Sequence, residues 1–179
     1  MSKITLITGG ARSGKSSFAL SLALQNYSKR AFVATAVPFD PEMKERISGH
    51  RQERGDQFLT IEEPLDLARA LNDLRGVSEV VLLDCLTVWL GNLYHHFQSE
   101  EQKIRAQVEA FLSCLEHPVY DLILVTNEVG WGIVPENALA RAFRDLAGGL
   151  NRRVAAQAGA VYLLCCGLPL VLKGDPPHG

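Results

Sequence analysis

The chain has 179 residues, of which 47% are apolar and 21% charged, and its formal net charge is -2. That length and balance fit one globular domain, at roughly 100–200 residues per domain, with enough chain to bury a core without staples. They exclude bulk positive charge as the means of holding nucleic acid or an anionic membrane.

Short apolar runs alternate with helical stretches along the whole chain. Residues 4–7 read as the first strand, 31–35 as the second, 79–84 (EVVLLD) as the third, 121–126 (DLILVT) as the fourth and 160–165 (AVYLLC) as the fifth. A sixth short strand is allowed at 170–172. The runs are continuous rather than alternating, the pattern of parallel strands covered on both faces. Between them the helical stretches are 15–25, 41–54, 64–74, 86–97, 100–115 and 135–157. Pro64 sits where the first turn of a helix tolerates it. The alternation predicts an α/β fold, a doubly wound, mostly parallel sheet with helices on both faces, and the glycine-rich stretch from Gly9 to Ser16 after the first strand, which fits G-x-x-x-x-G-K-[ST], makes it P-loop NTPase-like. No repeat or low-complexity linker breaks the chain, so residues 1–179 read as a single P-loop nucleotide-binding domain with a frayed tail after residue 173.

No apolar run reaches the roughly 18 residues of a membrane span. The N-terminus enters a strand at once, without a signal-peptide layout, and a cytoplasmic location is expected. Cys85, Cys114, Cys165 and Cys166 form no CxxC pair, so buried thiols in a reducing compartment are expected rather than a metal site or disulfides.

The first strand runs into Gly9-Gly10-Ala11-Arg12-Ser13-Gly14-Lys15-Ser16, which fits G-x-x-x-x-G-K-[ST] between a strand and a helix. Glycines let the backbone curl until several N–H groups face one anion, and the helix N-terminus adds partial positive charge. Lys15 is the expected partner of the β- and γ-phosphates, and Ser16 of Mg²⁺. Asp84 closes the third strand, as a Walker B-like carboxylate would, and is a second Mg²⁺ candidate. Its alternative role is to cap the helix that follows.

In the charged segment DPEMKERISGHRQER, a helix would set Arg46, His50 and Arg54 on one face. Such a stripe could hold a polyphosphate beside an imidazole kept neutral by the cations around it. The plainer alternative, which spacing alone favours, is a solvated face with Glu42 and Arg46 paired. His95 and His96 lack metal-pair spacing. Asn127 and Glu128, in the glycine-rich loop after the fourth strand, could touch a nucleotide or its acceptor, or could cap the loop. Arg141, Arg144, Asp145 and Asn151 follow on a helix.

Taken in order, TGGARSGKS, RISGHRQER and TNEVGWGIVPEN resemble one family: the bifunctional adenosylcobinamide kinase / adenosylcobinamide-phosphate guanylyltransferase of cobalamin biosynthesis. The resemblance runs from about residue 4 to 173. It implies that ATP or GTP phosphorylates the aminopropanol hydroxyl of adenosylcobinamide. GTP then transfers GMP to adenosylcobinamide phosphate through a guanylylated histidine, releasing pyrophosphate. By its place in RISGHR, His50 matches that histidine, which reverses the reading from spacing. Nucleotide contacts are implied at residues 9–16, at Ala34, Thr35 and Ala36, and at Arg51, Gln52, Glu53 and Arg54. Glu62 and Asp84 match further contacts, Asp84 at a position where some relatives carry Glu. The resemblance also implies Mg²⁺ (or Mn²⁺) as cofactor and a homo-oligomer. Rival readings are a single-activity P-loop kinase for another small hydroxyl substrate and a nucleotide-dependent switch with a protein partner.

Overall fold

A computed structural model describes residues 3–38, 45, 49, 51, 52 and 55–176. In chain order the regular elements are β1 (Ile4–Gly9), α1 (Lys15–Asn26), β2 (Arg30–Ala34), β3 (Leu59–Glu62), α2 (Leu67–Asp73), β4 (Val80–Asp84), α3 (Leu86–His96), α4 (Glu101–Cys114), β5 (Asp121–Val125), α5 (Ala138–Gln157), β6 (Ala160–Cys165) and β7 (Leu168–Lys173). The seven strands form one sheet in the order β3-β2-β4-β5-β1-β6-β7. Every neighbouring pair is parallel except β6 with β7.

The sheet divides two apolar clusters because successive side chains point to opposite faces. Leu6, Val81, Leu83, Leu122 and Leu124 pack with α2, α3, α4 and α5. Ile7, Phe32, Val80, Leu82, Ile123 and Val125 pack with Ala19, Leu20 and Ala23 of α1. Helices thus cover both faces, as the continuous apolar runs require.

Trp89 anchors the larger cluster. It is fully buried, its indole N–H donates to Leu65 O at 2.8 Å, and its ring lies 5.3 Å from that of Phe111. Trp89→Ala should cost about 3–5 kcal/mol, the usual range for deleting a buried aromatic. Urea unfolding checks this: the midpoint should fall while the slope stays constant.

The structure corrects several boundaries. β3 has no counterpart among the predicted strands. It is an edge strand with Leu59 half exposed and glutamates after it, so it lacks a continuous apolar run. α2 begins at Leu67, not residue 64, because the Asp66 carboxylate accepts from Arg69 N–H and fixes the helix start. α5 begins at Ala138, not residue 135, because Asn137 caps Ala140 N–H in the same way. The allowed strand at 170–172 is the longer β7. Cys165 and Cys166 are exposed rather than buried, because the β6–β7 hairpin carries them beyond the core. Of the predicted helix 41–54, Glu45, Gly49, Arg51 and Gln52 are helical, and its other residues lie outside the described residues. So do residues 177–179 of the tail.

Candidate active site

The loop of residues 9–16 joins β1 to α1 at the carboxyl edge of the sheet. Gly9 has φ 149°, and a Cβ there would meet Leu164 O at 2.4 Å, so no larger residue fits. Gly14 stands at the N-cap of α1 with φ 94° and brings no side chain to the free helix N–H groups. Lys15 is only 6% exposed, and its ammonium donates to Gly10 O at 2.5 Å and to Ser13 Oγ at 3.3 Å. The loop therefore wraps around its own cation. A ligand anion entering here would meet both the ammonium and the N-terminus of a 12-residue helix.

The loop is held from two sides. Glu128 N–H donates to Gly9 O at 3.1 Å from the segment after β5, and Gly167 N–H donates to Ser13 O at 3.0 Å from the β6–β7 turn. Sequence reasoning did not find the second brace, because the two residues are far apart in the chain.

The parallel strands end in a row at this edge: Glu62 on β3, Ala34 on β2, Asp84 on β4, Val125 on β5 and Gly9 on β1. Strands lie about 4.8 Å apart, so Asp84 is ~10 Å and Glu62 ~19 Å from the loop along the row. Asp84 is half-buried. Burial, and then the charge of Asp84, push the Cys85 thiol up to about 12, while Lys15 pulls it the other way. Asp84, at the end of β4, and Lys15, at the start of α1, thus act on one point from different elements. Cys85 itself is a protonated packing thiol.

Thr35 is fully buried. Its Oγ1 donates to Cys85 O at 2.9 Å and accepts from Cys85 N–H at 2.8 Å, and its carbonyl accepts from Asn92 at 2.7 Å. Its side chain braces the end of β4, with Ala34 and Ala36 half-buried on either side. Arg51 forms an ion pair with Glu62, both side chains well exposed. This pair ties the end of the charged segment to β3, at the far end of the row from the phosphate loop. Gln52 is exposed. His50, Arg46, Glu53 and Arg54 lie outside the described residues.

A polar network missed by sequence reasoning joins the start of α3, the end of β5 and α5. Thr126 Oγ1 donates to Asn151 Oδ1 at 2.8 Å and lies 3.1 Å from Thr87 Oγ1, which accepts from Asn127 N–H at 2.8 Å. Asn151 Nδ2 donates to Asn127 O at 3.3 Å. Thr87 and Thr126 are buried, so these bonds fix where the segment after β5 leaves the sheet. His95 and His96 are exposed at the end of α3.

Among the described residues, no three His, Cys, Asp or Glu side chains form a ready metal cage. The Ser16 hydroxyl and Asp84 carboxylate are hard oxygen donors. Mg²⁺ is commonly held by one or two such groups together with substrate phosphates, and the donor set fits it.

The family model described as CobU, cobinamide kinase / cobinamide phosphate guanyltransferase, matches residues 5–172. The bifunctional adenosylcobalamin biosynthesis protein CobP of Pseudomonas aeruginosa is 42% identical, over 96% of this chain and 98% of that protein. CobU of Escherichia coli, of the same description, is 38% identical over 94% of this chain and 98% of that protein. The chain belongs to the cobinamide kinase / cobinamide phosphate guanyltransferase family. Among solved structures, the RadB recombinase superposes on this family member with a TM-score of 0.57 at 16% identity, covering 98% of this chain and 83% of that one. At that identity the likeness is one of fold. The CobU-family match takes in the phosphate loop, the charged segment, Asp84 and the loop after β5. Among the described residues, no helix of this CobU-family chain is long and apolar enough to cross a membrane.

Proposed function

We propose that the chain phosphorylates adenosylcobinamide with ATP or GTP and then converts adenosylcobinamide phosphate to adenosylcobinamide-GDP with GTP. One observation carries the reading: a complete phosphate loop at the carboxyl edge of the sheet, in a chain matching the family over residues 5–172.

In the kinase step the corrinoid hydroxyl attacks the γ-phosphorus, the nucleoside diphosphate leaves, and the hydroxyl proton passes to solvent or a nearby base. Little covalent chemistry is asked of the protein, so positioning and charge stabilisation dominate. Lys15 and the loop N–H groups hold the β- and γ-phosphates. In the second step neutral His50 attacks the α-phosphorus of GTP, a P–N bond forms and pyrophosphate leaves. The phosphate of adenosylcobinamide phosphate then attacks the same phosphorus, the P–N bond breaks, and His50 is regenerated. Covalent catalysis divides one hard displacement into two. Gly9, Gly10, Ala11, Arg12, Ser13, Gly14 and Ser16 bind nucleotide with Lys15. Ala34 and Ala36, with Arg51, Gln52, Glu53, Arg54 and Glu62, line its other parts, and the fully buried Thr35 holds that stretch in place from beneath. The exposed Arg51–Glu62 pair, worth about 0–1 kcal/mol, leaves the Arg51 guanidinium easily drawn to a nucleotide phosphate instead.

Ser16 and Asp84 would hold Mg²⁺, which when bound neutralises charge on the phosphates. Asp84→Asn should raise the Mg²⁺ concentration needed for half-maximal rate in both reactions. An unchanged metal titration would leave Asp84 a structural residue. Four free cysteines suit a reducing, cytoplasmic setting. Exposed Trp131, Ile133 and Val134, with Leu168, Leu170 and Leu172 along β7, support a homo-oligomer.

Two labels test the proposal. Label from γ-labelled ATP should appear on adenosylcobinamide. Label from α-labelled GTP should appear first on protein and then on the corrinoid. A single-activity kinase would transfer γ-label alone, and a switch protein would transfer neither.

A further inference from the structure

Cys165 and Cys166 play no part in the chemistry above, yet they stand together at an unusual place. The hairpin pairs Cys165 with Leu168, so its loop has two residues, Cys166 and Gly167. Both have positive φ, 53° and 81°, as a type I′ turn requires. Asn, Asp or Gly is the usual first residue of such a turn, and cysteine is disfavoured there. Both thiols are exposed, and their sulfurs lie 3.9 Å apart. The next residue is tied to the phosphate loop: Gly167 N–H donates to Ser13 O at 3.0 Å, and a Cβ on Gly14 would lie 3.2 Å from Gly167 Cα.

We propose that Cys165 and Cys166 form a two-thiol site for a soft, thiophilic ligand, and that filling it disturbs nucleotide binding at the phosphate loop. Paired thiolates select soft metals and metalloids. The geometry favours such a ligand over a disulfide. Neighbouring Cα atoms across a trans peptide are about 3.8 Å apart, shorter than the ~4.4 Å lower end for disulfides. One bridging atom can instead join two sulfurs already side by side. With a trivalent arsenical the step balances: the two S–H bonds and the As=O bond break, two As–S bonds form, and one water leaves. Bridging draws the sulfurs together, Cys166 moves with them, and the adjoining Gly167 carries the shift to Ser13.

The probe is phenylarsine oxide with excess 2-mercaptoethanol, which competes arsenic off single thiols but not off a chelating pair. Intact mass should show one phenylarsenic group per wild-type chain, released by dithiothreitol. Cys165→Ser and Cys166→Asn should each lose it, and Asn suits the turn, so that variant should keep its fold. In the wild-type adduct GTP affinity should fall at least about tenfold, the scale of one lost charge-assisted hydrogen bond. Cys166→Asn should bind GTP equally with and without the reagent. No monothiol-resistant adduct, an adduct persisting in both variants, or a disulfide in its place overturns the site. An adduct with unchanged GTP affinity overturns its link to the loop. That link rests on the nucleotide reading of residues 9–16. The mass measurement does not, so wild type that fails to bind GTP would count against that reading alone.

Discussion

His50→Ala should abolish guanylyl transfer and leave measurable adenosylcobinamide kinase activity with ATP. The two reactions ask different things of one protein. Passing GMP through a covalent intermediate needs a protein nucleophile at the α-phosphorus. Phosphorylating a hydroxyl does not, because the substrate itself attacks the γ-phosphorus. The same variant should take up no label from α-labelled GTP. In the wild type the label should survive base and be lost in acid, as a phosphoramidate would. Undiminished labelling of His50→Ala would falsify the assignment. Loss of both activities in a folded variant would mean that His50 also positions nucleotide shared by the two reactions.

Lys15→Ala should lower both activities by about 10²-fold or more, the scale seen when a charge-stabilising group is removed. The ammonium is buried within the curl of the loop, and one cation serves the polyphosphate of either donor. The effect should fall on both reactions together, unlike that of His50→Ala. Steady-state rates with each substrate separate the two patterns. Near-wild-type rates in both assays would rule out a single phosphate loop shared by the two reactions.

The inner strands were legible because burial on both faces demands continuous apolar runs, and 79–84 and 121–126 supply them. β3 was not, because an edge strand ending in Glu62 needs no such run. Pro64 and Pro135 drew two helix starts too early. The signals that set the true starts, Asp66 and Asn137, are ordinary caps that the prolines obscured. The phosphate loop was legible because glycine, lysine and serine at fixed spacing answer one chemical demand. His50 was legible only through resemblance, since a cationic stripe on a helix has a solvated alternative. The Thr87–Thr126–Asn151 network was hidden because its bonds join residues 39 and 25 positions apart. The Gly167–Ser13 contact was hidden for the same reason.

The most direct test is product analysis after incubation with adenosylcobinamide, GTP and Mg²⁺. Mass spectrometry of the corrinoid should show adenosylcobinamide phosphate first, then adenosylcobinamide-GDP, with one pyrophosphate released for each GMP transferred. GTP consumed with the corrinoid unchanged, or adenosylcobinamide phosphate as the final product, would contradict the account.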